Sequence, residues 1–199
     1  MCIRDRLYLD VEAALARSQS KLNIIPKEAG EKITQAAKVD IIDWGKLEKR
    51  TSIVGYPILP LVEQLSEKVE GNFVKFCHWG ATTQDIMDTA DVLQIRKGLE
   101  LLSKDLKSIS DALEKIVEHH IKTPMAGRTH LQHALPISFG YKASTWLSGI
   151  DRHHKRLEEI KKRIFNVSFF GAAGTLASLG EHDGLKTQST LAEELDLNV

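Results

Sequence analysis

Apolar residues recur at helical spacing along most of the chain. The stretch from Gln84 to His120 covers 37 residues, contains no proline and has Gly98 as its one glycine. It predicts a continuous helix well beyond the usual globular length. Its apolar residues alternate at separations of three and four, which defines a heptad seam. The seam residues are Val92, Ile95, Leu99, Leu102, Leu106, Ile109, Leu113 and Ile116. Leu93 and Leu101 widen the stripe, so we expect a multi-helix bundle for which one chain does not supply every partner.

Shorter apolar repeats predict further helices on both sides of this segment. They cover about residues 7–22, 27–38 and 60–68, a second long helix from Pro136 toward Arg163, and a final helix from about Gly184. Residues 52–57 are predicted to form a loop, because glycine and the residue before a proline both resist helix formation. The predicted fold class is all-α.

The pattern divides the chain into two predicted domains. Residues 1–80 form an N-terminal helical domain, and residues 81–199 form an incomplete central helical-bundle domain. Residues 1–6 lack the apolar run of a signal peptide and fit poorly with the amphipathic pattern that follows. We interpret these six residues as a non-native remnant.

Composition and charge exclude several classes of function. The 27 Lys and Arg residues balance the 27 Asp and Glu residues, which argues against a protein that binds nucleic acid through phosphate neutralisation. The most apolar stretch, residues 53–62, contains two prolines and is too short to span a bilayer. Two cysteines, Cys2 and Cys77, provide no disulfide framework and fit a reducing compartment. We therefore expect a cytoplasmic protein without a nucleic-acid or membrane partner.

The first candidate site is the segment His78–Asp85, immediately before the 37-residue helix. Thr82 and Asp85 have the spacing of a capping box. Capping does not explain two adjacent hydroxyls, those of Thr82 and Thr83, that follow a glycine with His78 close by. A helix N-terminus offers unpaired N–H groups, and hydroxyls there complete a carboxylate or phosphate site. Simple capping and anion binding both fit this segment.

The second candidate site is the segment Gly127–Pro136, predicted to be a polar loop that leads directly into a helix with proline in its first turn. Its side chains include hydrogen-bond donors suited to an oxygen-rich ligand. These side chains are Arg128, Thr129, His130 and Gln132. Some of these residues occupy alternating positions, so we expect their side chains to face one cavity. The imidazole of His130 suits acid or base catalysis near neutral pH. The alternative is that His130 and His133 are loop histidines with ordinary structural partners.

A third segment, Phe169–Thr175, consists mainly of small residues and permits close backbone approach to a ligand or a neighbouring helix. Metal binding is not predicted, because apart from adjacent histidine pairs the sequence has no His-x-x-x-His pair and no carboxylate cluster at ligand spacing.

After residue 6 the chain resembles the fumarase/aspartase superfamily. Residues His78–Ala90 are similar to its first signature region, and residues Gly127–Pro136 are similar to its second. The nearest likeness is to bacterial 3-carboxy-cis,cis-muconate cycloisomerases, which also resemble this chain over Gly171–Gly180. Adenylosuccinate lyases come second.

The resemblance implies a helical homotetramer whose central bundle joins long helices of all four subunits and covers the seam. It implies active sites where three subunits meet and a small di- or tricarboxylate substrate. The shared reaction removes or delivers a proton next to a carboxylate while a bond at the adjacent carbon breaks or forms. No metal or organic cofactor is implied.

The resemblance also implies roles for individual residues. Thr82 and Thr83 resemble a hydroxyl pair that binds a substrate carboxylate. His78 resembles the histidine of the first region in the adenylosuccinate lyase branch. In the second region, Thr129 and His130 match catalytic positions, His130 as general acid or charge-stabilising group. Arg128 and Gln132 match substrate-binding positions of that region.

Two departures from the family pattern refine this interpretation. Where adenylosuccinate lyases carry a His-Asp pair, this sequence has Val54–Pro60, which favours a cycloisomerase. The third signature, a Gly-Ser-Ser-x-Met-Pro-x-Lys-x-Asn loop with the serine base, is absent from these 199 residues. We therefore interpret the chain as an N-terminal fragment of a cycloisomerase-like enzyme. One alternative is a lyase that eliminates fumarate from adenylosuccinate, and a second is a non-catalytic helical oligomerisation scaffold.

We predict that the purified 199-residue chain has no turnover, because the serine that abstracts the proton is missing. An ultraviolet assay of the chain with a carboxymuconate and with adenylosuccinate checks this. Turnover that co-purifies with the chain would contradict it.

Overall fold

Helices account for most of the structure, a computed structural model that describes residues 3–199, so the predicted all-α class is confirmed. The α-helices are α1 (Ile3–Lys21), α2 (Lys27–Ala36), α3 (Trp44–Val54), α4 (Ile58–Lys68), α5 (Thr83–His119), α6 (Phe139–Ile164) and α7 (Gly180–Leu195). Short 3₁₀ helices cover Val39–Ile41, Gly71–Phe76 and Ala177–Leu179. One antiparallel hairpin, β1 (Pro124–Thr129) and β2 (Gln132–Ser138), lies between α5 and α6.

The long helix agrees with its prediction in length and within one residue at each end, since α5 contains 37 residues from Thr83 to His119. Along residues 3–199, no helix combines the length and the apolarity that crossing a membrane requires. The suggestion that residues 1–6 are non-native stays a prediction. Met1 and Cys2 lie outside the described residues, whereas Asp5 is buried within α1.

The predicted loop at 52–57 is wrong over its first three residues, because Ser52–Val54 form the last turn of α3. The sequence pattern did not predict this helix. Its start is stabilised by Asp43, whose Oδ1 accepts the N–H of Lys46 at 3.0 Å. Its end is set by Gly55, which has a φ of 90°. The conformational restriction before Pro57 acts on Tyr56, which is already beyond the helix.

The predicted start of the second long helix at Pro136 is also wrong. Pro136 lies in β2 opposite Ala126, and α6 begins at Phe139. A two-residue turn at His130 and Leu131, with φ values of 44° and 65°, reverses the chain and pairs the two strands. Positive φ at both central residues is the geometry that matches the twist of a hairpin.

The last helix begins at Gly180, four residues before the predicted start at Gly184. Gly184 lies inside α7 and is buried against Leu176. A Cβ atom at position 184 would lie 2.6 Å from the Leu176 Cβ. This glycine therefore serves close packing within the helix and does not mark a helix boundary.

The chain forms two compact units, residues 3–95 with 165–199, and residues 96–164. The predicted domain boundary at residue 80 stays a prediction.

The first unit holds the main core, in which α1 packs against α2 and α7. Its largest fully buried apolar side chains are Leu9, Val11, Leu15, Ile33, Ile58, Leu61, Leu65, Ile86, Phe169 and Leu191. Burial of each such side chain stabilises the fold by about 1.5–3 kcal/mol.

In the second unit, the end of α5 lies directly against the start of α6. A Cβ at Gly140 would lie 2.8 Å from the Ile121 Cα, so glycine permits this close approach. In the middle of α5, other residues of this chain cover the heptad seam only partly. Leu102 and Ile109 are 52% and 44% exposed. The multi-helix bundle and the homotetramer therefore stay predictions.

We predict that Gly80→Ala lowers the free energy of unfolding by about 2–4 kcal/mol. Gly80 has a φ of 76°, and a Cβ there would lie 2.7 Å from the Leu179 Cγ. The matched control is Gly98→Ala on the exposed surface of α5, where a Cβ meets no neighbour within 4 Å. It should raise stability by about 0.5–1 kcal/mol. Urea unfolding followed by circular dichroism measures both, and equal effects would contradict the close packing at Gly80.

Candidate active site

The first predicted site region is a tight turn, residues 77–82, that leads into α5. His78 adopts a φ of 56°, in the left-handed region that few residues with side chains occupy. The turn is held by α1, since the Gln19 side-chain amide donates to the Trp79 carbonyl oxygen at 2.7 Å. Two helical turns earlier on α1, Glu12 lies beside the His78 ring. The interior of the first unit thus determines the shape of the turn.

His78 forms an ion pair with a buried carboxylate. Its Nδ1 lies 2.6 Å from the Glu12 Oε1, and the two side chains are 19% and 1% exposed. Burial of the ring disfavours the charged imidazolium. The negative charge and hydrogen bond of Glu12, with Asp85 nearby, outweigh that penalty and raise the pKa of His78. The site therefore holds a partly exposed imidazole that favours its positive form.

Asp85, in the first turn of α5, ties this turn to a distant segment. Its buried carboxylate accepts the N–H of Thr82 at 3.0 Å, that of Phe170 at 3.0 Å and that of Gly171 at 2.9 Å. Three charge-assisted hydrogen bonds compensate for burial of the carboxylate. Asp85 thus forms its half of the predicted capping box and also fixes the segment that contains Gly171.

The hydroxyls of Thr82 and Thr83 are left available for a ligand. Within residues 3–199, neither hydroxyl makes a hydrogen bond, and both residues are only partly buried. The capping function of the turn is carried out by Asp85 and does not need them. Two adjacent free hydroxyls at the N-terminus of a long helix, reached through a turn that also contains an imidazole with a raised pKa, suit a carboxylate.

The small-residue segment Phe169–Thr175 packs against this turn. Gly171 has a φ of 72°, and a Cβ there would lie 3.3 Å from the Gly80 carbonyl oxygen. Just before it, Thr89 Oγ1 donates to the Ser168 carbonyl at 2.9 Å and accepts the Ser168 N–H at 3.0 Å. The close backbone approach expected of this segment therefore occurs between the segment and the turn that leads into α5.

The second predicted site region is the β1–β2 hairpin, and the predicted polar loop is corrected to this structure. Thr129 pairs with Gln132, so these two side chains share one face of the hairpin. Arg128 pairs with His133 on the opposite face. His130 lies in the turn, and all five residues are exposed.

The predicted site residues fall into two groups. His78, Thr82 and Thr83 lie together in the first unit, whereas Arg128, Thr129, His130 and Gln132 lie together in the second. Their assembly into one active site stays a prediction. Among the described residues, no three histidine, cysteine, aspartate or glutamate side chains form a group that could hold a metal ion.

Two residues that shape the first region, Glu12 and Gln19, were not predicted from the sequence. Both are almost fully buried on α1 among apolar residues, Glu12 at 1% and Gln19 at 0% exposure. The sequence did contain a signal for them. Leu15 stands three residues after Glu12 and four before Gln19, so both polar residues lie on the helix face that carries the core residues Val11 and Leu15. Polar residues on the apolar face of a helix need a partner, and here that partner is the turn at residues 78–79.

A family model described as lyase matches residues 3–198. The chain belongs to this lyase family, the fumarase/aspartase superfamily. The chain is 46% identical over 190 residues to trans-aconitate decarboxylase 1 of Mycosarcoma maydis, covering 96% of this chain and 38% of that protein. It is 40% identical over 192 residues to 3-carboxy-cis,cis-muconate cycloisomerase of Pseudomonas aeruginosa, covering 95% of this chain and 42% of that protein.

The chain shares its fold with a solved structure. The crystal structure of a fumarate lyase from Mesorhizobium sp. BNC1 matches it with a TM-score of 0.94 and 56% sequence identity. The match covers 98% of this chain and 46% of the fumarate lyase chain. The chain thus spans about two fifths of the length of the curated relatives it matches.

We predict that Asp85→Asn lowers the free energy of unfolding by about 2–4 kcal/mol, because an amide nitrogen replaces one acceptor that faces backbone N–H groups. The matched control is Asp88→Asn, one turn along α5, where the carboxylate only accepts a surface hydrogen bond from Gln84. It should change stability by less than about 0.5 kcal/mol. Urea unfolding of both variants checks this, and an Asp85 variant as stable as the control would contradict the tie.

Proposed function

We propose that this chain supplies part of the active site of an enzyme that transfers a proton at the carbon next to a carboxylate of an unsaturated tricarboxylate. The observation that carries the proposal is the pair of unused hydroxyls, Thr82 and Thr83, at the start of α5. Asp85 caps this turn, so the hydroxyls have no structural task within the described residues. A substrate carboxylate is the ligand that their position favours.

The chemistry of the reaction explains why such a site accelerates it. Removal of a proton next to a carboxylate places additional negative charge on that carboxylate in the transition state. Hydrogen-bond donors aimed at it then bind the transition state more tightly than the ground state. The threonine hydroxyls, the N-terminus of α5 and the imidazolium of His78 are such donors.

The hairpin would contribute the second half of the site in a homotetramer. Arg128, Thr129, His130 and Gln132 are exposed in the single chain, which leaves them available to a substrate bound on another subunit. In this assembly His130 acts as general acid or stabilises charge, with Thr129 beside it. Arg128 and Gln132 bind further substrate oxygens.

The names of two relatives support the substrate class. Trans-aconitate and 3-carboxy-cis,cis-muconate both denote unsaturated acids with three carboxyl groups. A substrate of this class offers one carboxylate to the threonine pair and others to the hairpin. The first candidate reaction is cycloisomerisation, in which a carboxylate oxygen of a carboxylated muconate forms a C–O bond and a proton is added next to another carboxylate. Lactone opening is the reverse.

A second candidate reaction is decarboxylation of trans-aconitate. It is favoured by one observation, the higher identity of this chain to the decarboxylase, 46% against 40% for the cycloisomerase. In that reaction a C–C bond to a carboxylate breaks, carbon dioxide leaves, and a proton takes its place. Both candidates need the same charge stabilisation beside a remaining carboxylate.

The protein that the complete open reading frame encodes provides the test. Lactone formation from 3-carboxy-cis,cis-muconate, carbon dioxide release from trans-aconitate and fumarate release from adenylosuccinate are measured in parallel. We expect turnover of one of the two tricarboxylates, and kcat/KM lowered at least about 100-fold by Thr83→Val or His130→Gln.

The matched control is Thr34→Val, which removes a hydroxyl that only donates to the Gly30 carbonyl within α2. It should leave kcat/KM unchanged. Fumarate release alone would replace the proposed substrate class with adenylosuccinate. An assembled protein whose activity does not respond to the Thr83 and His130 changes would contradict the proposed site.

A further inference from the structure

Glu12 is a buried carboxylate whose burial in the first unit costs free energy. Its side chain is 1% exposed, and its Oε2 has no hydrogen-bond partner among the described residues. A buried carboxylate with an unsatisfied oxygen lowers stability, and an apolar residue would be favoured if α1 only packed here. The contact that Glu12 does make is with the Nδ1 of His78, at 2.6 Å. This contact joins residues 66 positions apart in sequence.

The contact restricts the hydrogen-bonding roles of the His78 ring. A carboxylate only accepts hydrogen bonds, so Nδ1 carries a proton that it donates to Glu12. The other ring nitrogen, Nε2, has no hydrogen-bond partner within residues 3–199. The side chain is 19% exposed. One nitrogen is therefore held by the core while the other remains available to a ligand.

We propose that Glu12 is a positioning residue of the carboxylate site: it holds the His78 ring through Nδ1 so that Nε2–H is donated to a substrate carboxylate beside Thr82 and Thr83. This inference rests on the proposed function and deepens it. Glu12 does not touch the substrate. It acts through His78, in the way that a carboxylate orients a histidine in many catalytic sites.

Protonation decides whether Nε2 donates or accepts. With Nδ1–H held by Glu12, a neutral ring would present a lone pair at Nε2 and would repel a carboxylate. The titratable groups that face His78 are Glu12 from α1 and Asp85 from α5; burial lowers the pKa of the ring, and their negative charges raise it by more. The donor is therefore fully present well below the ordinary histidine pKa, and it is lost as the pH rises through the raised pKa of His78.

The first test is an NMR titration of the ¹⁵N-histidine-labelled chain, with the His78 signals assigned by their absence in His78→Gln. We expect Glu12→Gln to move the His78 titration midpoint to lower pH, since an uncharged isostere no longer favours the imidazolium. The matched control is Glu194→Gln, which removes two ion pairs of α1, with Arg17 and Lys21, without touching His78. It should leave the midpoint unchanged. A folded Glu12→Gln protein with the original midpoint would overturn the positioning role.

The second test measures binding of tricarballylate, a saturated tricarboxylate, by calorimetry to the protein that the complete open reading frame encodes and to its Glu12→Gln variant. At a pH between the two His78 titration midpoints we expect Glu12→Gln to bind it about tenfold more weakly than the unchanged protein. At a pH well below both midpoints, where His78 is protonated in both proteins, the two affinities should converge. A purely structural role for Glu12 would give a loss that does not depend on pH, and would contradict the proposal.

The two tests separate this inference from the proposed function. If the complete unchanged protein does not bind tricarballylate at any pH tested, the carboxylate site itself is wrong, and so is the donor role of His78. If the complete unchanged protein binds tricarballylate but Glu12→Gln alters neither the midpoint nor the pH dependence, the carboxylate site stands and only the role of Glu12 is wrong.

Discussion

The arrangement of the first site region depends on one buried carboxylate. Asp85 gathers backbone N–H groups from Thr82 on one side and from Phe170 and Gly171 on the other, over a separation of about 85 residues in sequence. Without an acceptor there, three buried donors would be unsatisfied, which is far more costly than the loss of a surface hydrogen bond. Because Asp85 caps the helix, the hydroxyls of Thr82 and Thr83 are not needed for capping. They therefore remain available to bind a carboxylate.

The turn next to Asp85 is held in a conformation that few residues adopt without support. His78 has a positive φ. On α1, Glu12 contacts the His78 ring, and Gln19 donates a hydrogen bond to the carbonyl oxygen of the next residue, Trp79. Strain of this kind persists only where the surrounding structure compensates for it. The core of the first unit thus positions an imidazole and two hydroxyls on rigid elements, which is what a site that must stabilise developing charge requires.

The fold was predictable wherever one face of a helix carried a long apolar repeat. The repeat identified α5 because 37 residues without proline leave few alternatives. The β1–β2 hairpin was not predictable by the same route. Its turn uses His130 and Leu131 at positive φ, where glycine or asparagine would normally signal a hairpin. Pro136 on a short exposed strand was read as the first turn of a helix, since proline suits both places.

The candidate site was predictable to the extent that its chemistry lies in consecutive residues. Thr82, Thr83 and Asp85 were recognisable from the start of a helix and the spacing of a capping box. Their partners were not, because the contacts of Asp85 with Gly171 and of His78 with Glu12 form only when the chain has folded. Burial of Glu12 among leucines and alanines could have been questioned from the helical pattern alone, but its partner could not have been identified.

The measurement that tests the central claim most directly is a crystal structure of the complete protein with tricarballylate bound. The account predicts one ligand carboxylate within about 3 Å of the Thr82 and Thr83 hydroxyls and of the His78 Nε2. A ligand bound elsewhere, with those hydroxyls and that nitrogen bonded to protein groups, would contradict it.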